Sequence, residues 1–407
     1  MAGIAARHRR MSEGRVIMEA RLLPIEYAVR NFMRSPRRAA GILVGSTLLI
    51  CLLLAAGAFV RGMGKSLTLT GSDRNVLILG AGSEESVERS EIRADVADLV
   101  AAGVPGIATT LGVPYISPEI RVAITSKVVH DDAASYDVVL RGVKPTALLV
   151  HPQVRIISGS APQPGPDEVM IGSLAARQLG MIGSDGAIGK RISFDGRPWT
   201  ICGVFEAPRT TMESEIWCPL GDLLIATKRT TVSCVILTLK DAQFADVDAF
   251  CKQRLDLELV AMNERDYYTK LLEFFGPIRT LVWVTAALVG LGGLLGGLNT
   301  TYSAFAARVR EMAALQTLGY SRPAIVFSLL QETLLGSMIG SLLACGLTML
   351  VLDGRAVRFS MGSFGLVVDA PVIFFALMSG LAMGLLGAML PAWRCLRLPI
   401  VQALRTT

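Results

Sequence analysis

Four stretches of this chain stay apolar far longer than a packed core requires. Ala39 to Val60, Thr280 to Ala307 and Ala370 to Trp393 carry no charge, and Pro323 to Leu352 carries one, Glu332. A bilayer core about 30 Å thick is crossed by roughly 20 apolar helical residues, so each stretch is long enough to span it. The runs are continuous rather than alternating, which predicts helices, and a helix satisfies its own backbone inside lipid. The pattern divides the chain into an N-terminal segment (1–38), a first span (39–62), a polar domain (63–278), a second span (279–307), a short loop (308–322), a third span (323–352), a second loop (353–369), a fourth span (370–393) and a tail (394–407). The predicted fold class is a membrane α-helical protein of four transmembrane helices, with a large mixed α/β domain of two lobes between the first and second.

Within the polar domain the period changes repeatedly. Asn75 to Leu79, Glu119 to Val129, Tyr136 to Val143, Asp167 to Ile171, Arg191 to Phe194, Trp199 to Phe205, Glu215 to Cys218 and Ser233 to Leu239 read as strands between Gly, Pro and Asp turns. Val87 to Ala102, Leu174 to Leu179 and Ala245 to Leu257 have helical spacing. The Pro/Gly-rich stretch Ser158 to Pro166 is the expected seam between lobes.

Charge orients the chain. Its net +6 could suggest nucleic acid, but the placement points elsewhere. Arg7, Arg9, Arg10, Arg15, Arg21, Arg30, Arg34, Arg37 and Arg38 precede the first span, and Arg394, Arg397 and Arg405 follow the last. Cytoplasmic flanks collect Lys and Arg. Both termini are therefore expected inside and the polar domain outside, with no nucleic-acid partner. A mean hydropathy of +0.50 agrees with a lipid-embedded bundle. The segment before the first run is too long for a cleaved signal peptide, which predicts an uncleaved anchor.

The candidate chemistry is sparse. His130 and His151 have no neighbouring partner in sequence and read as solvated surface residues rather than ligands, and Asp131–Asp132 reads as a turn. Cys51, Cys345 and Cys395 fall in or beside spans. Cys202, Cys218, Cys234 and Cys251 have no metal-site spacing; they read either as buried free thiols or as including one disulfide, Cys202 with Cys234 on neighbouring strands. Gly62-Met63-Gly64-Lys65-Ser66 resembles the end of a phosphate loop, but Phe59 stands where that motif needs its first Gly. The run reads instead as a flexible exit from the first helix, and the chain has no nucleotide site of its own.

The spans carry small-residue pairs. Gly292 with Gly296, Gly293 with Gly297, Gly336 with Gly340, and Gly380 with Gly384 let helices approach closely. Glycine is also generally frequent in membrane helices, but recurrence in three spans favours packing within a bundle or a dimer. Glu332 lies about eight residues, roughly 12 Å, from the inner end of its helix. Two readings stay open: a buried carboxylate paired inside the bundle, or one snorkelling to the headgroups. After the second span, Arg308, Arg310, Glu311, Met312, Leu315, Leu318 and Gly319 form a short amphipathic helix with a glycine stop. Its apolar stripe could lie on lipid or dock into a cytosolic partner.

The sequence around this helix, RVREMAALQTLGY (308–320), resembles the inner-loop signature of the FtsX/MacB-type (type VII) ABC transporter permeases. Ala28 to Arg34 followed by Pro36-Arg37-Arg38 is similar to that family's N-terminal amphipathic helix. Gln331 to Gly336 is similar to its third-span start, and Leu390 to Arg405 to its C-terminal tail. Asp167 to Gly172 and Trp199 to Phe205 resemble its outer-domain strands. Gln316 stands where the family usually has Arg or Lys, and Met312 where it usually has Ile or Phe. The resemblance implies an inner-membrane permease, itself not an enzyme, bound as a homodimer to cytosolic ABC ATPase subunits that hold the ATP and Mg. It implies no cofactor in this chain, and mechanotransmission to a periplasmic domain, with a periplasmic adaptor and outer-membrane duct in many members. The porter-like lobe would be about 67–150 with 235–262, and the inserted lobe about 151–234. Arg308, Arg310, Glu311, Met312, Leu315, Leu318 and Gly319 would couple to the ATPase. The alternative within the family is a non-transporting scaffold controlling cell-wall hydrolases; the size of the outer domain favours transport. No nucleophile–base pair or metal set supports a membrane-anchored enzyme.

Overall fold

The computed structural model describes residues 23–128, 135–181, 186–194, 196–352, 355–359 and 362–397. The arginines before residue 23, His130, Asp131–Asp132 and the tail from 398 onward lie outside them. The chain forms two compact units. A helical unit holds the described residues of 1–57, 283–351 and 368–407, and a mixed unit holds those of 58–282 and 352–367.

Among the described residues, four helices are long and apolar enough to cross a membrane: Pro36–Thr70, Gly276–Ala306, Arg322–Val351 and Ala370–Cys395. Asp369 caps the last of them, its carboxylate accepting from the Val372 amide, with proline in the first turn where a missing N–H costs nothing. A separate helix, Ile25–Arg34, buries Ala28 and Phe32. The third and fourth long helices meet through small residues. A Cβ on Gly380 would strike Ser341, and one on Gly384 would strike Ser337. Hydroxyls then reach across to backbone carbonyls: Thr301 Oγ1 donates to the Gly387 oxygen at 2.6 Å and Thr47 Oγ1 to that of Gly340 at 3.2 Å. Such bonds join helices where apolar burial alone gives no drive.

The mixed unit is built on one ten-stranded sheet. The order is Leu259–Asn263, Asn75–Gly80, Cys234–Thr238, Ile116–Val128, Ser135–Val143, Glu215–Pro219, Glu168–Gly172, Arg197–Glu206 and Arg155–Gly159. Arg191–Phe194 pairs with both Arg197–Glu206 and Ile116–Val128. The long strand joins the two halves. Ile116 to Glu119 pairs with Cys234–Thr238, and from Ile120 onward its partner is Ser135–Val143. Ser135–Val143, read above with the first lobe, runs parallel to Glu215–Pro219 of the second. One apolar core, including Val76, Ile78, Ile120, Val169 and Trp199, extends across both halves.

Several local expectations change. The apolar spacing over 87–102 is not one helix but a 3-10 turn Val87–Arg89, a short strand Ile92–Arg93 and a helix Val96–Gly103. Ile92, Val96 and Val100 share a core, so burial rather than helical continuity set their spacing. The Gly62 to Ser66 run is not a flexible exit; it is helical, inside Pro36–Thr70, with Met63 and Ser66 buried. The seam 158–166 begins as the edge strand Arg155–Gly159. The loop 353–369 holds a hairpin of Ala356–Phe359 and Gly362–Gly365. All seven cysteines are free, and Cys202 and Cys234 do not lie on neighbouring strands, which removes the Cys202–Cys234 disulfide.

The sheet also buries charge. Glu119 and Arg121, two apart on one strand, face away from Ile120 on the other side, and both faces are covered. Arg141 reaches Glu215 through Nε and Nη2, both at 2.7 Å, and Glu119 through Nη1 at 2.9 Å. His151 is not a surface residue: it is buried with Nε2 2.8 Å from Glu119. Burial opposes ionisation of Glu119, but Arg141, His151 and Arg121 outweigh it and hold its carboxyl well below the usual range.

Candidate functional site

The cytoplasm-directed helix of the sequence expectation is Val309–Thr317. Gly319 ends it at φ +93°. The Gly319 amide donates to the Gln316 oxygen and the Tyr320 amide to that of Leu315, both at 3.1 Å, a Schellman closure. Only glycine adopts that φ without strain.

The structure sorts the residues expected to couple onto two faces. Met312, 3% exposed, packs with Phe305, Val309, Ala313, Ile325 and Ala388 in the helical unit's own core. Leu315 is half-buried against the same cluster. Arg310, Glu311, Ala314, Thr317 and Leu318 are exposed, Leu318 at 75%. The exposed face is therefore displaced from the Met312/Leu315/Leu318 stripe, because the bundle takes Met312 for itself.

Arg308 precedes this helix and points inward. Its Nε donates to Glu311 at 3.0 Å and its Nη1 to Glu332 Oε2 at 3.0 Å. Glu332 is 2% exposed and resolves the two open readings in favour of a paired carboxylate. It accepts from Asn31 Nδ2 at 2.6 Å and pairs through Oε1 with Arg38. Arg38 in turn reaches the Asn31 carbonyl at 3.4 Å. One carboxylate thus ties together helix Ile25–Arg34 (Asn31), the start of Pro36–Thr70 (Arg38), the residue opening Val309–Thr317 (Arg308) and helix Arg322–Val351, its own. Charges alternate along Glu311, Arg308, Glu332 and Arg38. A carboxylate in an apolar bundle is tolerated when it is paired and fully hydrogen-bonded in this way. Asn31 and Arg38 were missed in the sequence because nothing local links them to a glutamate some three hundred positions away. The signal available was only that a lone charge in a span needs a partner.

The glycines separate as well. A Cβ on Gly336 would lie 2.8 Å from Ile42 and 2.9 Å from Phe32, one on Gly340 would strike Ser46, and one on Gly293 would lie 2.6 Å from Leu49. Gly292, Gly296 and Gly297 meet nothing within 4 Å among the described residues. A cavity of about 290 Å³ in the helical unit is lined by Gly41, Gly45, Gly293, Gly296, Gly297 and Gly387, among others. Among the described residues, no three His, Cys, Asp or Glu side chains gather as metal ligands would.

Two family models match the chain. The MacB-like periplasmic core domain matches residues 39–250, and the FtsX-like permease C-terminal domain matches residues 283–400. Among solved structures, the periplasmic region of MacB from Actinobacillus actinomycetemcomitans is 13% identical, covering 52% of this chain and 97% of that one at a TM-score of 0.38. The extracellular domain of the noncanonic ABC-type transporter YknZ from Gram-positive bacteria is 16% identical, covering 46% of this chain and 100% of that one at a TM-score of 0.37. No curated protein matches.

Proposed function

The chain belongs to the FtsX/MacB-type ABC permease family, and from that premise we propose that it couples ATP hydrolysis in a separate cytosolic ATPase to movement of a periplasmic domain. It is a multi-pass membrane component of an ABC transporter. In our reading both termini are cytoplasmic, the mixed unit is periplasmic, and the work done there is export or extraction of a substrate. The observation that supports this most is the Glu332 junction. The ATPase would seat against the exposed side of Val309–Thr317. Any displacement of that helix acts through Arg308 on Glu332, and through Glu332 on Arg38 at the root of Pro36–Thr70. That helix is unbroken over 35 residues, which makes it a stiff element.

A second copy of the chain is the partner we infer for the second long helix. Gly276–Ala306 buries only Ala286, Thr301 and Phe305, and leaves Gly292, Gly296 and Gly297 uncovered. Small residues at that spacing suit close helix contact.

The return path is helix Glu264–Phe274, which passes to Gly276–Ala306 through the single residue Phe275. Pro277 sits in the first turn, where it needs no donor, and the Phe275 carbonyl accepts from the Arg279 amide at 3.1 Å. The test is a flexible Gly/Ser linker inserted after Gly276. ATP hydrolysis should survive, while ATP-dependent crosslinking of Lys270→Cys between protomers should lose its dependence on nucleotide, because a coil transmits position poorly. Unchanged ATP-dependent crosslinking with a slack segment would sink mechanical coupling along this path.

A further inference from the structure

The mixed unit contains a cavity that the coupling scheme does not use. It is small, about 70 Å³, and lies where the end of helix Pro36–Thr70 (Ser66), helix Glu264–Phe274 (Tyr268, Leu271) and the hairpin Ala356–Phe359/Gly362–Gly365 (Phe364) close over the sheet at Arg121 and Val139. On this scale one water occupies about 10–15 Å³, so the space suits a body of roughly five heavy atoms.

We propose that this cavity binds a small monocarboxylate with an apolar body, held by Arg121. The proposal stands apart from the coupling scheme. Arg121 is 8% exposed, and its guanidinium is poorly matched. Nη1 donates to the Tyr268 hydroxyl at 3.1 Å, Nη2 is 3.8 Å from Glu119, and Nε has no partner. The neighbouring carboxylates are engaged elsewhere, since Arg141 holds Glu215 by two bonds and Glu119 by a third. A buried guanidinium whose best partner is a phenol lacks the planar, two-oxygen acceptor that its fork fits. Burial pushes the Tyr268 phenol up to about 12, so it stays a neutral partner. A second donor lines the same cavity: Ser66 Oγ, 4% exposed and without a partner. Val139, Leu271 and Phe364 form an apolar part of the wall that would take the body of the ligand, and Glu215, held by Arg141, is also at the lining. Glu88 also lines the cavity. Burial raises its carboxyl against the pull of Arg121, which makes it the resident competitor for the same guanidinium.

The test uses the full chain in lipid nanodiscs and titrates propionate and propan-1-ol by calorimetry, subtracting empty discs. Saturable binding of propionate, with propan-1-ol weaker by about ten- to hundred-fold for the lost charge-assisted bonds, is the expected result. Val139→Phe, or Ser66→Leu if that variant does not fold, fills the cavity and should abolish binding while Arg121 remains. Glu88→Gln should bind propionate at least as tightly as the wild type. Absence of saturable propionate binding, equal affinity for propan-1-ol, or unchanged binding in the filled variant would each overturn the proposal; stronger binding only in Glu88→Gln would mean that Glu88 itself is the occupant of Arg121.

Discussion

Arg308 and Glu332 are 24 residues apart in sequence, and a 3.0 Å bond joins them. One residue opens helix Val309–Thr317, and the other is a carboxylate buried between helices. Removing either member of a buried pair leaves the other charge uncompensated, which costs about 3–5 kcal/mol. Glu332→Ala strands Arg38 and leaves Arg308 with Glu311 alone, so its thermal unfolding midpoint in detergent should fall markedly. The triple change Arg38→Met, Arg308→Met, Glu332→Met removes all three charges and should recover most of the loss. An alanine variant as stable as the wild type would show that the junction holds nothing together.

In the proposed scheme the two faces of Val309–Thr317 separate docking from folding. Leu318→Asp should reduce co-purification with the ATPase strongly, since losing a buried leucine costs roughly 1.5–3 kcal/mol of association. The variant itself should fold normally, because Leu318 is 75% exposed in the free chain. Met312→Ala should do the reverse, lowering permease stability by about 2–5 kcal/mol with little specific effect on the complex. Normal complex yield for Leu318→Asp would place the helix on lipid rather than on a partner.

Orientation is open to a direct measurement. A reporter enzyme active only outside the cytoplasm should work when fused after Asp241 and be silent when fused after Thr407. The opposite pattern would invert the scheme.

The buried charges of the mixed unit predict an acid response. Burial opposes the ionisation of Glu119 and of Glu215, but in both the neighbouring arginines prevail and the folded-state carboxyl lies below its ordinary value near 4.5. A depressed pKa contributes stability that is present above the unfolded value and lost as pH falls toward the folded one. Stability should thus hold above about pH 5 and decline as the pH drops through and below the ordinary carboxylate range. Arg141→Met removes the main counter-charge and should flatten that acid limb while lowering stability at neutral pH. A wild-type curve without an acid decline would mean these carboxylates are not ionised in the fold.

The sequence by itself determined the four membrane-length helices, most strands of the ten-stranded sheet, and the glycine stop at Gly319. Apolar run length, alternation and glycine's freedom at positive φ are local properties of the chain, legible one segment at a time. It also showed that Glu332 was an anomaly needing a partner. Tertiary structure alone decided which partners: Asn31, Arg38 and Arg308 reach it only because three helices and a loop converge, and no local spacing encodes that. The same holds for His151, which looked solvated until a strand brought Glu119 to it, and for Met312, whose place on an amphipathic stripe could not say which side of its helix the bundle would claim. Spacing over 87–102 misled for the same reason. Residues sharing a core recur at helical intervals whether or not the backbone between them is a helix, and only packing tells the two apart.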